Sequence, residues 1–99
     1  EEALHAMGDA YRQLIEDRER LQLMLQCFAA AEDPEIRDHL RLVWRDLVEL
    51  TERVGGATPE EVSAFFAKGM LLTITMAMKL DVDSTPWGDR LIAGCKEDG

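Results

Sequence analysis

The side chains best able to do chemistry here are two histidines, two cysteines, one tyrosine and a ladder of arginines. His5 has Glu1 and Glu2 within one helical turn, a potential three-ligand set for a divalent ion, but at the edge of a helix such a set faces solvent. His39 has no second histidine at helical spacing. Cys27 and Cys95 are too few and too far apart for a disulfide framework and form no Cys-x-x-Cys pair, so two reduced thiols are expected. No Ser-His-Asp set, nucleophile elbow, Walker loop or dinucleotide turn can be assembled, because the only paired glycines, Gly55-Gly56, read as a helix stop. The expectation is a protein without catalysis, metal or cofactor. Arg37, Arg41 and Arg45 stand four apart, with Asp38, Asp46 and Glu49 nearby. An anion site would use such a ladder, but a solvated face with weak ion pairs explains it as well and is the expected reading. Tyr11 carries a phenol that, once buried, needs a hydrogen-bond partner, which a ligand could supply.

Helices must position these groups. Leu4, Met7, Tyr11, Leu14 and Ile15 recur at three-and-four spacing, and the charged run Glu16 to Arg20 ends that first amphipathic pattern. Leu21, Met24, Leu25 and Phe28 form one face of a short second helix, widened by Leu23 and Cys27. Asp33-Pro34 supplies an N-cap followed by proline at the first helical position. From there Ile36, Leu40, Val43, Leu47, Leu50 and Val54 alternate steps of four and three, the seam of helices packed at shallow angles. Thr58-Pro59-Glu60-Glu61 is a capping box opening a fourth helix expected to reach about Leu80. Thr85-Pro86 caps a last short helix through Ile92, with Val82, Trp87, Leu91 and Ile92 expected to dock it. No hairpin signal or sustained alternation is present. The predicted fold is all-α: an antiparallel bundle of four main helices plus a short C-terminal one.

Composition narrows the function. With 99 residues the chain holds one domain and one modest core. Its 11 basic and 20 acidic residues give a net charge of -9, which repels a phosphate backbone, so this segment is not expected to touch DNA itself. The longest uncharged run, Gly69 to Met78, is about half of a membrane span, and no leader precedes it. A cytoplasmic location without membrane contact is expected. The chain opens at Glu1 inside a helical pattern, as though a preceding domain were missing.

The fourth helix is apolar around most of its circumference, with only Glu61, Lys68, Thr75 and Lys79 marking a solvated strip. One small subunit leaves part of so wide a belt uncovered, which calls for a second buried contact. Phe65, Gly69, Leu72 and Met76 are the expected dimer flank, extended on the third helix by Arg37, Arg41, Trp44 and Val48. The alternative is a central helix wrapped by its own neighbours. Met7, Tyr11, Leu14, Met24, Phe28, Leu47, Phe66 and Met70 would converge if the helices close around a common axis. Adaptable methionines and broad aromatic faces suit an apolar or aromatic ligand, and the same set could equally fill a core.

The order of these pieces resembles the C-terminal regulatory domain of TetR/AcrR-family transcriptional repressors. The resemblance is carried by Ala10-Tyr11 with Leu14, by Asp17 to Gln26, by Asp33-Pro34-Glu35-Ile36-Arg37, and by Glu60-Glu61-Val62 followed by Phe65 to Leu71. It spans roughly residues 3 to 80 and rests on the string as a whole rather than on one motif. It implies a homodimer built by the last two long helices of each subunit, a small-molecule pocket within each subunit, and an N-terminal helix-turn-helix that binds DNA. No such basic head lies in this segment, so DNA binding would belong to a part outside it. A ligand-free helical dimerisation or interaction module is the competing expectation.

Overall fold

The computed structural model describes residues 2–97, all of whose regular structure is helical: α1 (Glu2–Glu16), α2 (Arg18–Ala29), α3 (Pro34–Gly55), α4 (Pro59–Ala77), α5 (Pro86–Leu91) and α6 (Ala93–Glu97). The four long helices pack on one another as the expected bundle, and the C-terminal segment forms two short helices where one was expected.

The helix starts follow from local chemistry. The Asp17 carboxylate accepts from the backbone N–H groups of Glu19 and Arg20, and Asp33 accepts from that of Glu35 at 2.9 Å, with Pro34 filling the first helical position. Thr58 and Glu61 close a reciprocal box: the Glu61 N–H donates to Thr58 Oγ1 at 3.2 Å and the Thr58 N–H donates to Glu61 Oε1 at 2.8 Å. Thr85 accepts from the Gly88 N–H at 3.0 Å. Gly56 ends α3 in the left-handed conformation, φ 58°, which glycine adopts without a side-chain clash.

α4 stops three residues short of the expected Leu80. Lys79 adopts φ 60°, and the Leu80 N–H turns back to the Thr75 carbonyl at 3.0 Å. Arg18, at the start of α2, holds this reversal by donating to the Met76 carbonyl and to both oxygens of Asp81, at 3.0 and 3.2 Å. The reversal buries Leu80 and Gly88, whereas Val82, Trp87 and Leu91 remain exposed and do not dock the tail as expected. The C-terminal residues 98 and 99, like residue 1, lie outside the described residues.

At the centre, Ile15, Leu21 and Met76 form the buried cluster, with Tyr11, Met24, Leu25 and Leu72 packed against it. Its members come from α1, α2 and α4. α3 is joined to them by an aromatic relay, in which Trp44 lies 6.1 Å from Phe28 and 5.3 Å from Phe66, ring centre to ring centre, and Phe66 meets Phe65 edge-on at 5.4 Å.

Candidate functional site

The polar centre of the interior is Tyr11. Its hydroxyl lies against Thr73 Oγ1, and Met24 Sδ is 3.9 Å away. Thr73 Oγ1 donates its own proton to the Gly69 carbonyl at 2.8 Å, so the Thr73 oxygen is left to accept from the phenol. Partial burial raises the Tyr11 pKa above its ordinary value, and the Thr73 hydrogen bond opposes that shift. The partner that a ligand could have supplied is therefore already present within the chain. An effector reaching this phenol has to displace the Thr73 contact or share it.

The eight expected lining residues are divided between separate contacts, and two of them are exposed. Tyr11 and Met24 are in contact, and Phe28 and Phe66 share the Trp44 relay, whereas Leu14 and Leu47 remain 43% and 40% exposed. Met7 and Met70 are half-buried. A shallow open groove of about 280 Å³ lies between the end of α2 and the start of α3, bordered by Phe28, Ala31, Leu40 and Trp44 with Arg37 and Arg41 at its rim. Only Phe28 of the eight borders it. Arg37 donates to the Ala31 carbonyl at 3.3 Å, while Arg41 reaches both this groove and the open surface beside Asp38, Leu42 and Arg45. The arginine ladder is thus a solvated face.

The expected dimer flank of α4 is corrected by its packing. A methyl group placed on Gly69 would sit 3.7 Å from the Tyr11 ring, Phe65 lies at the same distance from such a group on Gly8, and Met76 is 6% exposed within the central cluster with Leu72 against it. These four residues face α1 and α2 of their own subunit, so the case for self-association through them is lost. Trp44 also turns inward to Phe28 and Phe66, and Val48 is half-buried. Of the extension on α3, Arg37 and Arg41 remain at the surface.

Of the strip read as solvated, Glu61 and Lys79 are exposed and Lys68 is half-buried, and Thr75 is the member that is corrected. Thr75 is buried, its hydroxyl donating to the Leu72 carbonyl at 2.9 Å, and the Cys95 thiol approaches the Lys68 carbonyl at 4.0 Å, so the C-terminal segment reaches α4 at Lys68. The residual apolar surface lies elsewhere. Ile74 on α4, Met78 at its C-terminal cap, and Leu42, Val43, Leu47, Leu50 and Val54 on α3 are all exposed.

Among the described residues no group of three or more His, Cys, Asp or Glu side chains is placed to hold a metal, and no helix is long and apolar enough to cross a membrane. Glu1, one member of the set beside His5, lies outside those residues. Both cysteines are free thiols. No protein-family model, curated protein or solved structure matches the chain at a significant level.

Proposed function

We propose that this chain is the dimerising regulatory domain of a TetR-like transcriptional repressor. A small apolar or aromatic effector acts on the helical interior, and DNA is bound by a part of the protein outside this segment. The observation that carries the reading is the imbalance of apolar surface. Among the described residues twelve large hydrophobic side chains are exposed against six buried hydrophobic ones, and six of the twelve lie on α3 and α4. A small lone domain with so thin a core is marginal, and covering that surface with a second copy stabilises the folded state by mass action. The family resemblance assigns the same two helices to the dimer contact. Light scattering on the eluting protein at micromolar concentration tests it: twice the chain mass is expected, and a monomer would remove the proposal.

The effector step draws on Tyr11, whose half-buried phenol sits beside the adaptable thioether of Met24. A ligand that binds one arrangement of the helices better than another shifts the population toward it and passes that preference to the attached DNA-binding heads. The competing reading, an interaction module without a ligand, is favoured by the internal hydrogen bond of that phenol to Thr73. Thermal shift against an apolar ligand library separates the two. A sensor gives hits that Tyr11→Phe weakens, and uniform silence favours the module.

A further inference from the structure

We propose that the open groove between the end of α2 and the start of α3 binds an aromatic carboxylate, with the ring against Phe28, Leu40 and Trp44 and the carboxylate on Arg37 and Arg41. The site is separate from the interior around Tyr11, and it depends on neither the dimer nor the effector step.

The groove follows from where α2 stops. Its last residue, Ala29, is followed by a short turn, and α3 starts at Pro34 behind the Asp33 cap. Arg37, Leu40, Arg41 and Trp44 recur on α3 at spacings of three and four, so they share one face of that helix and look onto the α2 end. Phe28 and Ala31 form the opposite wall. Trp44 is anchored by Phe28, 6.1 Å away ring centre to ring centre, and by Phe66 at 5.3 Å, yet it stays half-buried and borders the groove. Phe28, Ala31 and Leu40 are half-buried as well. Aromatic packing thus holds an apolar floor in place before anything binds.

The cations stand along one edge of that floor. At about 100° per residue, Arg37 and Arg41 lie about 20° and 60° to one side of Trp44, and Leu40 lies about 40° to the other. Both guanidiniums therefore border the same side, one helical turn apart. Arg37 donates one N–H to the Ala31 carbonyl, which draws it over the turn. Among the described residues neither arginine has an ion-pair partner, and Arg41 has no hydrogen bond. Arg45, the third member of the ladder, lies outside the groove and is paired with Asp46 at 3.1 Å. Of the neighbouring acids, Asp33 accepts from the Glu35 N–H in the cap. Asp38 borders the open surface, about 120° from Trp44 and so beyond Arg41 on the side away from the groove.

These features select the occupant. A chain of net charge -9 repels anions over most of its surface, so two unpaired guanidiniums beside an apolar floor are complementary to an anion with an apolar body. A guanidinium grips a carboxylate through two parallel N–H bonds and also stacks on aromatic rings, so the same arginines serve both parts of an aromatic acid. An inorganic anion leaves the floor wet, and a neutral hydrocarbon leaves the guanidiniums without a partner. The volume of about 280 Å³ is at the small end of ligand pockets, about 300–1,000 Å³. That limits the body to one or two rings.

The test titrates 2-naphthoate into the ¹⁵N-labelled full chain and follows the backbone and indole N–H resonances. Saturable shifts are expected at Phe28, Ala31, Leu40 and the Trp44 indole, with a dissociation constant on the order of 1 mM. 2-Naphthalenemethanol, with the same rings and no charge, is expected to bind about fivefold to tenfold more weakly. Arg41→Gln should lose affinity by the same factor without disturbing the fold, since Arg41 makes no bond within the chain, and Arg45→Gln should bind as the parent does. Equal binding of acid and alcohol, or an Arg41→Gln variant as tight as the parent, would overturn the carboxylate contact. No saturation by about 10 mM, roughly ten times the expected constant, would overturn the site. Shifts confined to Tyr11 and Thr73 would overturn it while supporting the interior effector step, so the two readings fail separately.

Discussion

The Tyr11 hydroxyl, on α1, donates to Thr73 Oγ1, on α4, and the Thr73 proton continues to the Gly69 carbonyl one turn back. This two-step relay ties the phenol to the backbone of the most buried helix. Replacing Thr73 with valine removes the acceptor and leaves the phenol with only a thioether, which is expected to cost about 1–2 kcal/mol in urea unfolding. Tyr11→Phe costs about 1 kcal/mol or less. In the double variant the two losses combine less than additively, because they report one shared bond.

Burial of the same phenol predicts an alkaline limit to stability. Partial burial raises the Tyr11 pKa in the folded state, so the neutral phenol is favoured by folding. The contribution is fully present below the unfolded pKa of about 10 and is lost as pH rises through the folded value. Urea midpoints measured from neutral to strongly alkaline pH should fall in that upper window, and the part of the fall due to this residue should vanish in Tyr11→Phe. An identical alkaline slope in the variant would contradict the assignment.

Gly69 and Gly56 should respond in opposite directions to alanine. A methyl on Gly69 meets the Tyr11 ring at 3.7 Å, an ordinary contact, so Gly69→Ala gains helix propensity without a clash and is expected to stabilise by about 0.5–1 kcal/mol. Gly56 holds φ 58°, and Gly56→Ala is expected to cost about 1 kcal/mol through backbone strain. Thermal melts of both variants test the pair. Destabilisation by Gly69→Ala would mean that α1 and α4 lie closer than described.

Arg18→Ala should destabilise by about 1–2 kcal/mol, since one guanidinium serves both the Met76 carbonyl and the Asp81 carboxylate. The carboxylate share is the smaller: both side chains are 35% exposed, so Asp81→Asn is expected to cost about 0.5 kcal/mol, shrinking in high salt. Urea titrations at low and high ionic strength separate the two contributions. Equal losses from the two variants would place the stabilisation in the ion pair alone.

The helix starts and the end of α3 were legible because each is written within a few residues: Asp33-Pro34, Thr58 with Glu61, Thr85-Pro86 and Gly56 all act on their own neighbours, whereas the end of α4 is set by Arg18, far away in sequence. Which side of a helix turns inward was less legible, because it depends on partners far away in sequence. The Val43, Leu47, Leu50 and Val54 seam proved partly exposed, while Trp44 and Thr51 take the inner side of α3. The flank of Phe65, Gly69, Leu72 and Met76 was apolar enough for either a partner or a core, and only the position of α1 decides between them. The Tyr11 partner was anticipated as a need, but its identity was hidden because threonine at 73 reads as polar surface. Thr75 was misread for the same reason. Buried threonines satisfy their hydroxyls on preceding carbonyls of the same helix and so pack as small apolar residues.

That habit has a mechanical consequence for α3. Its fully buried Thr51 bonds to the Leu47 carbonyl at 2.8 Å on its own helix, and the Trp44 relay and the Leu4 contact at Gly55 engage its neighbours through shape rather than directional bonds. Dispersion contacts weaken gradually with displacement, whereas a hydrogen bond fails over a narrow range of angle. A small roll or glide of α3 therefore meets a soft restoring force, giving this rod a bearing-like seat against the remainder of the bundle.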